Sequence, residues 1–181
     1  FGPINLGLDE ATVRRRVSEA LYAVGMADCA ERAVHNLSFG QKKRVCIAGV
    51  LAMQPELLVL DEPMAGLDHR MRTEFLAVLD GLHAQGITLL LATHDIDFAY
   101  RWADRIHLMA AGQCAASLDA TDLAEKGDAL SALGLSLPTV VELHRRLAAQ
   151  GLLAKRPAPR THAELLALLD STNHAKDETC R

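Results

Sequence analysis

Residues 57–63 read Leu-Leu-Val-Leu-Asp-Glu-Pro, and no other stretch limits so strongly what this chain can fold into. Its four apolar residues do not alternate with polar ones. That is the pattern of a short strand buried on both faces of a parallel sheet, where no side of the strand meets water. Residues 87–93 repeat the pattern as a second buried strand. Between the two runs Met71, Phe75, Val78, Leu79 and Leu82 recur at helical spacing, with Gly86 placed to close that helix. Strand, helix, strand in this order predicts an α/β fold with a mostly parallel sheet. Asp61 and Glu62 then stand at the carboxyl end of a buried strand, where open α/β sheets bind ligands. Asp61 suits a hard cation such as Mg²⁺, which takes oxygen ligands, and Glu62 suits a base that orients a water. The competing reading of the same segment is a strand that ends in a solvated acidic turn.

Helices are expected on either side. Asp9 is placed to cap one whose face is Val13, Val17, Ala20, Leu21 and Val24, with Gly25 at its end. Ser38 and Gln41 have capping-box spacing, and Val45, Ala48, Gly49 and Ala52 continue as a helical face that Pro55 stops. A helix over about residues 95–102 follows the second strand, and residues 106–109 and 114–117 pair as a hairpin across Ala111-Gly112. Past Asp119 the character becomes helical: a helical turn at 121–125, a break at 126–128, and a helix over 138–149 with Val140, Val141, Leu143 and Leu147 facing the core. A proline-containing linker at 156–160 leads to a last helix over 161–169, opened by Thr161 and Glu164 as a capping box, and the end from Ser171 frays. The division expected is one domain over residues 1–118 and an extension over residues 119–181.

Composition narrows the function. A length of 181 residues can bury a sizeable core. Net charge of −4 and 4% aromatic residues argue against a nucleic-acid partner, which calls for basic excess or stacking platforms. The longest apolar runs are far too short to cross a bilayer. Cys29, Cys46, Cys114 and Cys180 have neither CxxC spacing nor a histidine at zinc-finger spacing, so they read as reduced thiols. With no charged or apolar leader after Phe1, the expectation is a soluble, intracellular piece of a longer chain.

Residues 37–44, Leu-Ser-Phe-Gly-Gln-Lys-Lys-Arg, put exposed amides, a capping hydroxyl and a small residue at a helix N-terminus, which is an anion site. An ordinary capped helix with a solvated basic face explains the same residues. Ala65-Gly66-Leu67-Asp68 makes a tight turn after the acidic pair, and His94 follows the second strand either as a ligand or as a structural neighbour of a helix cap.

In this order the segments resemble the second half of an ABC-type ATPase domain. Residues 37–41 resemble the family signature, residues 57–62 its Walker B strand, residues 65–68 its D-loop and His94 its switch histidine. The spacing 94 − 61 = 33 residues leaves room for one helix and one strand. Within the family the likeness is to the cobalt/nickel and energy-coupling-factor uptake ATPases of bacteria and archaea. It rests on residues 1–8, on Lys42-Lys43-Arg44-Val45, and on an extension in which Leu137-Pro138-Thr139-Val140 opens a helix.

The resemblance implies a P-loop NTPase-like α/β fold over residues 1–118 and a mainly helical C-terminal extension that dimerises or regulates. It implies ATP and Mg²⁺ as cofactors. The implied partners are a second ABC ATPase subunit and an integral membrane transport subunit, at the cytoplasmic face of the membrane. Asp61 would hold Mg²⁺, Glu62 would polarise water and His94 would contact the γ-phosphate. Ser38, Gly40 and Gln41 would face the partner's nucleotide, and Asp68 would couple the two sites. Phe39 stands where the signature has its first glycine, which puts bulk near the phosphate site. No GxxxxGK[ST] occurs in the 181 residues, so the P-loop lysine is not among them. Without the strand that carries that loop, residues 57–60 would also present an unpaired apolar edge. The leading expectation is an ATPase subunit of an importer for cobalt or a related metal. The alternatives are a piece that only binds partners and, against the acidic balance and the lack of heptads, a DNA-repair or chromosome-organising ATPase.

Overall fold

The computed structural model describes residues 1–153 and 157–178. They form two compact units, residues 1–92 and residues 93–181.

The first unit is built from α1 (Gly2–Asn5), α2 (Glu10–Ala23), α3 (Phe39–Leu51), β1 (Leu57–Asp61), α4 (His69–Ala84) and β2 (Thr88–Ala92). β1 and β2 run parallel in register from Leu57 beside Thr88 to Asp61 beside Ala92, with α4 as the crossover. Parallel neighbours need such a connection because a tight hairpin can only reverse the chain. α2 packs on α3 and α4, and α4 packs on β2. The buried residues include Ala20 and Val24, then Ile47, Ala48 and Leu51, then Phe75, Leu79 and Leu82.

Side-chain caps start α2, α3 and α4 where local chemistry says they should. Asp9 accepts from the Thr12 amide, Ser38 and Gln41 close a full capping box, and Asp68 accepts from the Met71 amide. Ends are less obedient. α3 stops at Leu51, four residues before Pro55, as Gln54 turns into the left-handed region at φ 57°. Val17 lies on the exposed side of α2, and α3 buries Ile47 and Leu51 while Gly49 is exposed.

The expected burial of both strands on two faces does not hold. Leu57 and Val59 are 50% and 61% exposed, and Leu90 beside Val59 is 47% exposed. Leu58 is buried, and Leu60, Leu89 and Leu91 are half-buried. Only one face of this two-stranded sheet is covered by the described residues, and successive side chains must point to opposite faces. An unalternating apolar run records that a strand tolerates cover on both sides, not that this chain supplies both covers.

The second unit contains α5 (Ile96–Trp102), β3 (Arg105–Ala110), β4 (Gln113–Asp119), α6 (Gly127–Ala132), α7 (Thr139–Ala149) and α8 (His162–Glu178). β3 and β4 form the antiparallel hairpin, turning at Ala111 and Gly112 with both at positive φ. One apolar core joins Tyr100, Ile106, Leu108 and Leu118 to Ala120, Leu123, Leu130, Val141 and Leu165. The expected break at 126–128 narrows to Lys126, between a 3₁₀ turn that ends at Glu125 and α6, which starts at Gly127. α7 buries Val140, Val141 and His144, while Leu143 is exposed. α8 runs to Glu178 rather than ending at 169, so the polar stretch from Ser171 continues as helix. Glu164 takes the amide of Arg160, one residue before the cap Thr161. Arg156 of the expected linker and Cys180 lie outside the described residues. Cys29, Cys46 and Cys114 are free thiols. No described helix is long and apolar enough to cross a membrane.

Candidate active site

Asp61 is the last residue of β1 and is exposed. Glu62 follows at φ 41°, a left-handed conformation that side-chain-bearing residues rarely hold. Its amide donates to the Ala92 carbonyl at 2.9 Å, so the ladder continues one residue past the strand while the backbone turns. Such strain persists where surrounding structure over-determines it, and it concentrates at functional sites. The turn then closes on itself, as Ala65 donates to Glu62 O and Leu67 to Met64 O.

The turn is braced from α3. Lys43 Nζ donates to the carbonyls of Pro63 at 2.8 Å and Ala65 at 2.7 Å. The same ammonium lies 5.4 Å from the centre of the Phe39 ring. Burial pushes the Lys43 ammonium below its ordinary pKa, and the Glu62 carboxylate pulls it back up. Phe39 in turn rests on Gly66: a Cβ there would fall 3.0 Å from Phe39 Cε1, and Gly66 already sits at φ +72°. The bulky residue in the signature position therefore packs against the turn that follows the acidic pair.

Beside this brace lies a cavity of about 310 Å³ bordered by Ser38, Gly40, Gln41, Arg44, Asp68 and Arg70. The N-termini of α3 and α4 both open on it, and helix N-termini favour negative charge. Glu74 moderates the basic side, pairing with Arg44 at 3.3 Å and Arg70 at 2.9 Å. Ser38 and Gln41 already satisfy one another: Gln41 N donates to Ser38 Oγ and Ser38 N donates to Gln41 Oε1. Gly40 is buried, and a Cβ on it would meet Met71 Sδ at 3.3 Å. Its smallness thus serves helix packing as well as any approach of a ligand.

Of the expected site residues, Ser38, Gly40, Gln41 and Asp68 share this cavity, while Asp61 ends β1 and Glu62 follows it at positive φ. His94 belongs to the second unit. It is exposed and directly precedes Asp95, whose carboxylate accepts from Phe98 N and whose amide donates to Thr93 Oγ1. Among the described residues no group of three His, Cys, Asp or Glu side chains converges as a metal site. Asp61 by itself offers a hard cation one carboxylate. Lys43 escaped the sequence reading, because its acceptors lie 20 and 22 residues on and no spacing rule reaches them.

Comparison with known proteins decides the family. The profile of the ABC transporter family matches residues 5–65. The energy-coupling factor transporter ATP-binding protein EcfA of Carboxydothermus hydrogenoformans is 49% identical over 79% of the chain. This chain belongs to the ABC transporter ATPase family. The cobalt import ATP-binding protein CbiO of Rhodobacter capsulatus is 45% identical over 92% of the chain. The alignments span 53% and 60% of those two proteins. The solved structure of CbiO1 from Clostridium perfringens, part of the ABC transporter complex CbiONQ, superposes with a TM-score of 0.65 at 38% identity, covering 80% of this chain and 58% of that one. The α/β fold with its parallel sheet matches ABC ATPase structures. The family profile reaches to Ala65, inside the braced turn that follows Asp61-Glu62.

Proposed function

We propose that these residues serve in an ATP-binding and ATP-hydrolysing subunit that energises an ABC importer, with cobalt or a related metal ion as cargo. The observation that carries the proposal is Glu62, held at positive φ directly after Asp61 by the Ala92 carbonyl and by the turn that Lys43 braces. Strained geometry at a carboxylate that a water-orienting base requires is the local feature, and similarity to EcfA and CbiO supports the transport context. The partners in this reading are a second ABC ATPase subunit and an integral membrane transport subunit, with the protein peripheral at the cytoplasmic face.

ATP with Mg²⁺ supplies the phosphoanhydride bond whose cleavage drives transport. Asp61 holds the cation, and Glu62 aligns a water and accepts its proton. The amides and hydroxyl at residues 38–41 face the partner subunit's nucleotide, Asp68 couples the two sites, and His94 contacts the γ-phosphate. Two helix N-termini beside Arg44 and Arg70 make that face suited to an anion. Residues 119–181 act as a dimerising or regulatory extension. In the whole gene product Glu62→Gln leaves ATP binding intact and lowers turnover about 10²–10⁴-fold, the usual effect of losing a general base. A variant that keeps most of its turnover removes Glu62 from the mechanism.

The lack of GxxxxGK[ST] within the 181 residues favours a second reading for this polypeptide alone: it binds partner surfaces and does not turn over ATP. Calorimetric titration of the 181-residue chain with Mg²⁺-ATP should give no binding. A micromolar Kd, about −8 kcal/mol, with Mg²⁺-dependent phosphate release overturns it.

A further inference from the structure

α5 has seven residues, fewer than a helix needs to persist without outside support, and it begins immediately after His94 and Asp95. Residues far along the chain secure both of its ends. At the first turn, the Asp97 carboxylate accepts from the Thr139 amide at 2.6 Å and the Thr139 hydroxyl at 2.9 Å, across 42 residues. This bond also completes α7, whose N-cap position is Pro138 and which has no side-chain cap of its own. At the last turn, the Arg160 guanidinium donates to the Tyr100 carbonyl at 2.8 and 3.0 Å and to the Ala103 carbonyl. Those are the orphan acceptors that every helix C-terminus leaves. Arg160 also stands 6.0 Å from the Tyr100 ring, and the Tyr100 hydroxyl donates to Ala158 O at 3.3 Å. Tyr100 is 1% exposed in the core it shares with Leu123, Leu130 and Val141.

We propose that Asp97 and Arg160 are positioning residues for His94: by fixing the two ends of α5 they hold the Thr93-His94-Asp95 loop, so that the C-terminal extension sets where the histidine stands. The cap bond from Phe98 N to Asp95 lies within the loop and helix, so it couples the position of α5 to the Thr93-His94-Asp95 loop. Arg160 and Thr139 come from opposite sides of the stretch that carries α7, so a shift of the extension is transmitted to both ends of α5 together. The proposal rests on the reading that His94 contacts the nucleotide, and its test separates the two.

The 181-residue chain, labelled with ¹⁵N and ¹³C, is compared by NMR as wild type, Arg160→Met, Arg160→Lys and Asp97→Asn. Loss of a charge-assisted bond should speed exchange of the Phe98 and Ala99 amides about 10- to 100-fold. It should also shift the His94 backbone and imidazole resonances, with the β1 and β2 amides unchanged. Arg160→Lys, which can reach only one carbonyl at a time, should fall between. If Arg160→Met loses the fold of its unit, Asp97→Asn and Arg160→Lys still decide. Unmoved His94 resonances in both of these variants overturn the proposal. In the whole gene product, Asp97→Asn should lower kcat about 10- to 100-fold with KM for ATP nearly constant, as His94→Ala does, and the double variant should lose no more. Moved resonances with full turnover in His94→Ala leave the coupling standing and remove His94 from the chemistry.

Discussion

Replacing Lys43 by Met keeps an unbranched stem against Phe39 and deletes both donors that hold the turn after the acidic pair. A hydrogen bond from a charged donor contributes about 1.5–3 kcal/mol, but the two bonds here are unequal. The bond to Pro63 O is partly buried and its carbonyl would lose its partner, whereas the bond to Ala65 O is exposed and water can replace it. One bond counts almost fully and the other little, so the expected loss is about 2 kcal/mol. The loss is local, because the acceptors belong to a turn whose own bonds are Ala65 N to Glu62 O and Leu67 N to Met64 O. Hydrogen exchange at these two amides reads it directly: about 2 kcal/mol corresponds to roughly 30-fold faster opening. Exchange in α2 should not change, and Lys42→Met, one residue earlier and outside these contacts, is the control. Acceleration under about threefold at Ala65 and Leu67, or an equal acceleration throughout residues 1–92, would refute the argument that Lys43 braces this turn.

Other substitutions probe neighbouring claims. Gly66→Ala forces a side chain into φ +72° and places its Cβ 3.0 Å from Phe39 Cε1, so it should cost at least about 1–2 kcal/mol in urea unfolding, and part of that loss should disappear in a Phe39→Ala background. Tyr100 tests alkaline stability: burial raises its pKa above the ordinary 10.0 while Arg160 opposes. A raised folded pKa gives stability that is complete below the unfolded value and lost as pH climbs through the folded one, so Tyr100→Phe should flatten the fall in urea midpoint above about pH 10. An unchanged slope in the variant would mean that another group titrates there. His94→Ala should reduce turnover of the whole gene product with little change in melting temperature, since the residue is exposed; a large melting shift at constant specific activity would mark it as structural.

Helix starts are legible in the sequence because their signals are local. Asp9, Ser38, Asp68 and Asp95 each accept from the amide three residues on, and caps of that kind are specified within a single turn of chain. The parallel pair was readable for a related reason: an apolar run, a helical period and a second apolar run leave few ways to be connected. Motif order needed nothing more than the spacing between residues 38 and 94. Other features depended on what the rest of the chain packs against. The exposed face of Leu57, Val59 and Leu90 follows from cover supplied on one side only, and the apolar run reads the same with either number of covers. The acceptors of Lys43, the pairing of Asp97 with Thr139 and the grip of Arg160 on Tyr100 span 20 to 60 residues. Charged side chains pair by distance in space, and neither period nor spacing encodes that distance until the core has set the elements in place.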